Sequence, residues 1–171
     1  MKFRLLASAI LPAFAAGILA CDDATGNDDQ EWEAALSAAA EIPAPAGSPT
    51  ASGTAELELN GRTLSVLVSV TGNLTSDVAM AHIHGPATTT ATAGIVLDFV
   101  PAMQAIIAAG TRTGTMVSAS YDLDALPVSA TGVLRVHPDT LIAFMNTGRG
   151  YVNVHTQTNA AGELRGQITR D

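Results

Sequence analysis

His82 and His84 stand at alternate positions in the run Val78-Ala79-Met80-Ala81-His82-Ile83-His84. In an extended strand, residues i and i+2 leave the same face, with Cβ atoms about 6.5–7 Å apart. Two imidazoles so placed can reach one metal ion. Met80 lies two residues before His82 on the same face, and a thioether beside imidazoles suits copper, above all the reduced ion. His155 lies on the polar side of a later alternating run, Tyr151 to Thr156. If the two strands are neighbours, a three-histidine centre follows. A structural reading stands beside this one. A His-x-His strand can instead hydrogen-bond a loop carbonyl or a carboxylate such as Asp98. His137, directly before Pro138, reads as a turn residue.

The later run belongs to a longer pattern, Tyr151 to Ile168. Val152 and Val154 share one face, and Tyr151, Asn153 and His155 the other; Leu164 and Ile168 then alternate with Glu163, Arg165 and Gln167. Two period-two runs around the polar break Gln157 to Gly162 predict a β-hairpin with one buried face. Its other face reads either as wet or as functional. Asn is a poor strand former, so Asn153 answers a requirement of fold or chemistry. Tyr151, Asn153, Glu163 and Arg165 are therefore candidate structural or ligand contacts. For Arg165 two roles are open: bidentate binding of an anionic ligand, or pairing with a local acid or carbonyl that locks the closing strands. Gly166 would let a neighbouring backbone approach closely. No nucleophile elbow, phosphate loop or His-Glu-x-x-His is present, and no catalytic residue is assigned. The balance leans away from an enzyme.

The elements that must position these residues are mostly strands. Thr54 to Val70 predicts a hairpin around a type I′ turn at Asn60-Gly61. Further strands are expected at Val78–His84, Ile95–Val100 and Thr113–Ala119, with an early one at Glu33–Ala39 whose alanine run also permits a helix. Pro101 to Ala109 has helical spacing, and Asp139 can N-cap a short helix carrying Leu141, Ile142 and Met145. Glu41 to Ser52 reads as an extended lead-in, and the Thr-rich segment after Gly85-Pro86 as a flexible tip. The expected fold is all-β, an antiparallel sandwich or barrel with one or two short helical insertions, over residues 34–171.

The front of the chain carries address information. Residues 1–20 have a basic start at Lys2 and Arg4 and an apolar run too short for a comfortable membrane span. Ile18-Leu19-Ala20-Cys21 resembles a bacterial lipobox, which implies acylation of the Cys21 sulfur and cleavage after Ala20. Plain secretion, with Ala13-Phe14-Ala15 as the cleavage signal, is the alternative. Cys21 is the only cysteine, so no intramolecular disulfide forms. Residues 21–33 read as an acidic tether. Without Lys2 and Arg4, six basic residues (8 − 2) face sixteen acids, a formal charge of −10. No basic patch points to nucleic acid. The expected partners are a membrane, through Cys21, and a protein or glycan ligand of unknown identity. The expected location is the bacterial cell envelope, outside the cytoplasm.

Three segments carry a family resemblance. Tyr151-Val152-Asn153-Val154-His155-Thr156 followed by Gly162-Glu163-Leu164-Arg165-Gly166-Gln167-Ile168 resembles the closing motif of the CHRD (chordin) domain. Ala81-His82-Ile83-His84-Gly85-Pro86-Ala87 is similar to its central motif, and Ala35-Leu36-Ser37 through Glu41-Ile42-Pro43 to its opening. The resemblance implies a β domain outside the cytoplasm acting as a binding or structural module. It does not imply growth-factor antagonism, which in chordin is associated with separate cysteine-rich modules. A His-x-His strand, a later histidine and a closing Gly-x-x-Arg-Gly-type strand are also similar in outline to copper–zinc superoxide dismutase. Four histidines are too few for that enzyme's paired metals, and one cysteine cannot make its disulfide. What that likeness leaves open is a site for a single metal.

Overall fold

The computed structural model describes residues 29–171; Cys21, the leader and most of the expected tether lie outside the described residues. Nine strands form one antiparallel sheet: β1 (Gln30–Ser37), β2 (Ser52–Asn60), β3 (Thr63–Thr71), β4 (Val78–His84), β5 (Ile95–Asp98), β6 (Gly114–Asp122), β7 (Tyr151–Thr156), β8 (Leu164–Gln167) and β9 (Thr169–Arg170). Their order is β5-β4-β7-β8-β1-β2-β3-β6, with β9 alongside β1. Two short helices are inserted, α1 (Gln104–Ala108) and α2 (Pro138–Asn146). The expected all-β class with short helical insertions holds.

The sheet curls because alternate residues of nearly every strand must share one interior. Trp32, Leu57, Leu64, Ile83, Val152 and Leu164, from six different strands, belong to one apolar cluster. The two ends of the strand order meet through Phe99, just past β5, and Tyr121 on β6, whose rings stack at 6.0 Å. The result is a half-barrel whose concave side is the core.

Several local expectations are corrected. β1 begins at Gln30, not Glu33, because Trp32, Ala34 and Leu36 all point inward and Gln30 pairs with Leu59. Residues 30–33, expected in the tether, therefore belong to the sheet. The alanines at 38–40 close the strand with one 3-10 turn. The β2–β3 hairpin pairs Asn60 with Thr63, so its turn residues are Gly61 and Arg62. Only Gly61 has positive φ (60°), the pattern of a type II′ turn rather than type I′. Val78, which strict alternation with Met80, His82 and His84 would put on the histidine face, is 1 % exposed in the core because a bulge between Val78 and Met80 breaks the alternation. The cap of α2 is His137, whose Nδ1 accepts from the Asp139 N–H at 3.3 Å. Asp139 instead takes a hydrogen bond from Arg62 at 2.8 Å. The helical spacing over 101–109 is realised as a 3-10 turn, Val100–Ala102, followed by α1.

One glycine decides how closely β8 approaches β1. A Cβ on Gly166 would lie 2.6 Å from the Ala35 carbonyl oxygen, a backbone atom with little freedom to retreat. Gly166→Ala is expected to destabilise the domain by about 2–3 kcal/mol. Urea denaturation would read this as a lower midpoint with an unchanged slope.

Candidate metal centre

The β4–β7 register builds the site. His84 faces Tyr151, His82 faces Asn153 and Met80 faces His155 across the two strands. Alternation sends Ala81, Ile83, Val152 and Val154 to the core, each fully buried. It sends the polar residues to the opposite, convex face. That face is not wet: His82, His84, Asn153 and His155 are 2–8 % exposed. Polar groups so buried need partners, and three irregular segments supply them.

The segment after Gly85 is the principal cover. It is not a free tip but a strap tied at four points. His84 Nδ1 meets the Ala93 carbonyl at 3.0 Å, and the Tyr151 hydroxyl accepts from the Ala93 N–H at 3.2 Å. Arg165 Nη2 donates to the Thr88 carbonyl at 2.8 Å, and Gln167 Nε2 to the Ala87 carbonyl at 2.9 Å. The β7–β8 loop covers a second side, with His155 Nδ1 at 3.0 Å from the Ala160 carbonyl. The lead-in covers the third, where Asn153 Nδ2 donates to Glu41 Oε1 at 3.3 Å.

These contacts assign the histidine tautomers. A carbonyl only accepts, so His84 and His155 each carry their proton on Nδ1 and leave Nε2 as a lone pair. His155 Nε2 faces His82 Nδ1 at 3.2 Å. His82 Nε2 faces Asp98 Oδ1 at 3.6 Å. With one proton, His82 must oppose a lone pair to an acceptor on one side or the other. Nor does it take up a second proton readily. Burial, then the neighbouring His155, His84 and Arg135, pull its pKa down to about 3. Burial chiefly pulls His84 down to about 4, and burial also lowers His155. His84 Nε2 is buried with no partner at all.

A metal ion would resolve all of this at once. One nitrogen from each of His82, His84 and His155 lies within 4.8 Å of the others. Bound through His82 Nδ1, His84 Nε2 and His155 Nε2, an ion would use the three lone pairs. The outer nitrogens would keep a carboxylate and two carbonyls, the outer shell that orients metal-bound imidazoles. Asp98 is itself held by Arg135 Nη2 at 2.9 Å and accepts from the Val100 N–H. Met80, half-buried beside His155, is the nearest soft donor by register. The hydrogen-bonding alternative is therefore also present, on the outer nitrogens, and does not compete with the inner ones.

The other candidates divide. Tyr151 stacks on His84, with centroids 4.9 Å apart and planes 8° apart, and Arg165 Cζ lies 3.7 Å over the Tyr151 ring. Arg165 Nη2 thus reaches the strap at the Thr88 carbonyl rather than an acid or backbone carbonyl of the closing hairpin, and its Nη1 is buried without a partner. Glu163 stands apart from the histidines and holds the loops. It accepts from Thr156 Oγ1 at 2.7 Å, Asn159 Nδ2 at 2.9 Å, the Thr75 N–H at 2.7 Å and the Thr75 hydroxyl. Sequence reasoning gave Glu41 and Asn159 no site role. Neither lies in an alternating run, and only the Glu41-Ile42-Pro43 opening motif marked the first.

The CHRD domain model matches residues 32–168, and the chain belongs to that family. Searches of curated proteins and of solved structures each return no match.

Burial alone would raise the Glu163 pKa, but hydrogen bonds from Thr75, Asn159 and Thr156 outweigh it and hold the carboxyl below its ordinary range. A carboxyl whose pKa is depressed by folding stabilises above its unfolded value, and that stability is lost as pH falls through the folded one. Glu163→Gln should cost about 2–3 kcal/mol near neutrality. It should also flatten the decline in stability on acidification. Denaturant titrations at a series of pH values check both.

Proposed function

We propose that this chain is a lipid-anchored module of the bacterial cell envelope, held outside the cytoplasm, with a non-catalytic binding role. Membership of the CHRD family supports the binding module. The lipobox-like Ile18-Leu19-Ala20-Cys21 and the acidic stretch after it support the anchor and the spacing from the surface. Anchoring through acyl chains follows from burial of about 0.8 kcal/mol per methylene. Cys21→Ser is expected to move the protein from the membrane to the soluble fraction on cell fractionation. Persistence in the membrane fraction would point to another anchor.

A second reading is favoured by one specific observation, the convergence of one ring nitrogen from each of His82, His84 and His155. On this reading the module binds one copper ion, as a buffer or delivery factor. Three neutral imidazoles without a carboxylate in the inner set, beside a methionine, suit monovalent copper better than harder ions.

The test is metal content of the full chain in detergent, purified without affinity histidines and titrated under reducing and oxidising conditions. One equivalent of copper is expected. His82→Ala and His155→Ala should abolish it while retaining the circular dichroism spectrum, and His137→Ala, at the α2 cap, should leave it intact. No copper above the level of a triple His82/His84/His155→Ala variant would leave the histidines as scaffold and move the search to protein or glycan ligands.

A further inference from the structure

Resting on the copper reading, a deeper inference concerns what chooses the ion. Arg165 is 1 % exposed. Arg62, Arg112 and Arg135 each pair with a carboxylate, whereas Arg165 pairs with none among the described residues. Its hydrogen-bond acceptors are the neutral Thr88 carbonyl and, at 3.5 Å, the Gln167 side-chain oxygen. Its charge is therefore buried without direct neutralisation. Glu41 interacts with it electrostatically but makes no ion pair with it, and burial raises the Glu41 pKa against that interaction.

This charge is coupled to the site through a three-layer stack. The guanidinium lies on Tyr151, and Tyr151 lies nearly parallel on His84. His84 donates to the strap at Ala93, and the strap in turn is held by Arg165 at Thr88. The ring of one metal ligand is thus clamped between the strap and the stack. A buried unpaired cation raises the free energy of any positive charge added nearby, and twice as much for a divalent ion as for a monovalent one. At the other flank Arg135 also bears on His82 and His84, but unlike Arg165 it is paired with a carboxylate, Asp98, at 2.9 Å.

We propose that Arg165 and Tyr151 are the specificity-determining pair of the centre. Tyr151 fixes the orientation of His84, and the Arg165 charge behind it biases the three-histidine site toward monovalent over divalent metal. Neither residue is a ligand. Both are positioning residues, and ion preference is the property they set.

The experiment compares Cu(I), measured by competition with a chromogenic chelator, and Co(II), measured by its ligand-field bands, on the same full-length protein. In the wild type Cu(I) is expected to bind far more tightly. Arg165→Met and Arg165→Gln should raise Co(II) affinity relative to Cu(I) by about tenfold or more, since the repulsion falls mainly on the divalent ion. Arg165→Lys, which keeps the charge, should restore the wild-type ratio. Tyr151→Phe should keep the Co(II) band pattern, and Tyr151→Leu should broaden it. The Gln variant keeps a donor for the Thr88 carbonyl, so it covers the case in which the Met variant does not fold. A Cu(I)/Co(II) ratio within about threefold of wild type in both neutral variants overturns the proposal and leaves the copper site standing. Absence of Cu(I) binding in the wild type overturns both.

Discussion

The pairing of β4 with β7 is the constraint on which the rest depends. One register assigns Ala81, Ile83, Val152 and Val154 to the core and the histidines to the other face. A slip of one residue would exchange the two sets, putting imidazoles among leucines and valines among the loops. The apolar interior therefore holds the polar centre in place. The bulge beside Met80 adds to this. It gives Val78 to the core while keeping Met80 opposite His155.

Over β4 and β7 the convex face is unusual because it is closed. A β-sheet outside a barrel is ordinarily solvated, and its polar residues need no particular partners. Here three irregular segments fold back over it and exclude water. The cost is that every buried donor and acceptor needs a mate. The outer nitrogens of the histidines find theirs in Ala93, Ala160 and Asp98. The inner nitrogens find only one another. The same logic separates Glu163, whose carboxylate is saturated by its own loops, from the histidines, which are not.

Much of this was legible in the chain. The alternation of Val78–His84 and Tyr151–Ile168 marked the strands and the shared face of His82 and His84, because period two follows from backbone geometry. That His155 joins them depended on strand neighbourhood, which no local pattern encodes. The start of β1 was missed because Glu31 and Glu33 lend a half-buried strand the look of a charged tether. The alternating Trp32, Ala34 and Leu36 were the available signal. The turn at Gly61 and the cap at His137 were each displaced by one or two positions, since capping and turn chemistry tolerate several registers until tertiary contacts select one. Burial of the polar face was the least legible feature. The covering segments have no periodicity, and their contacts are made largely by backbone.

That last point has an evolutionary consequence. The strap grips the site mainly through main-chain groups of Ala87, Thr88 and Ala93 rather than through its threonines. Every amino acid supplies a carbonyl, so the identity of most strap residues is nearly free to drift. Its spacing is not. Removing a single residue between Thr88 and Ala93 would carry one latch out of reach while leaving the other engaged. In such a segment, selection acts on length rather than on letters.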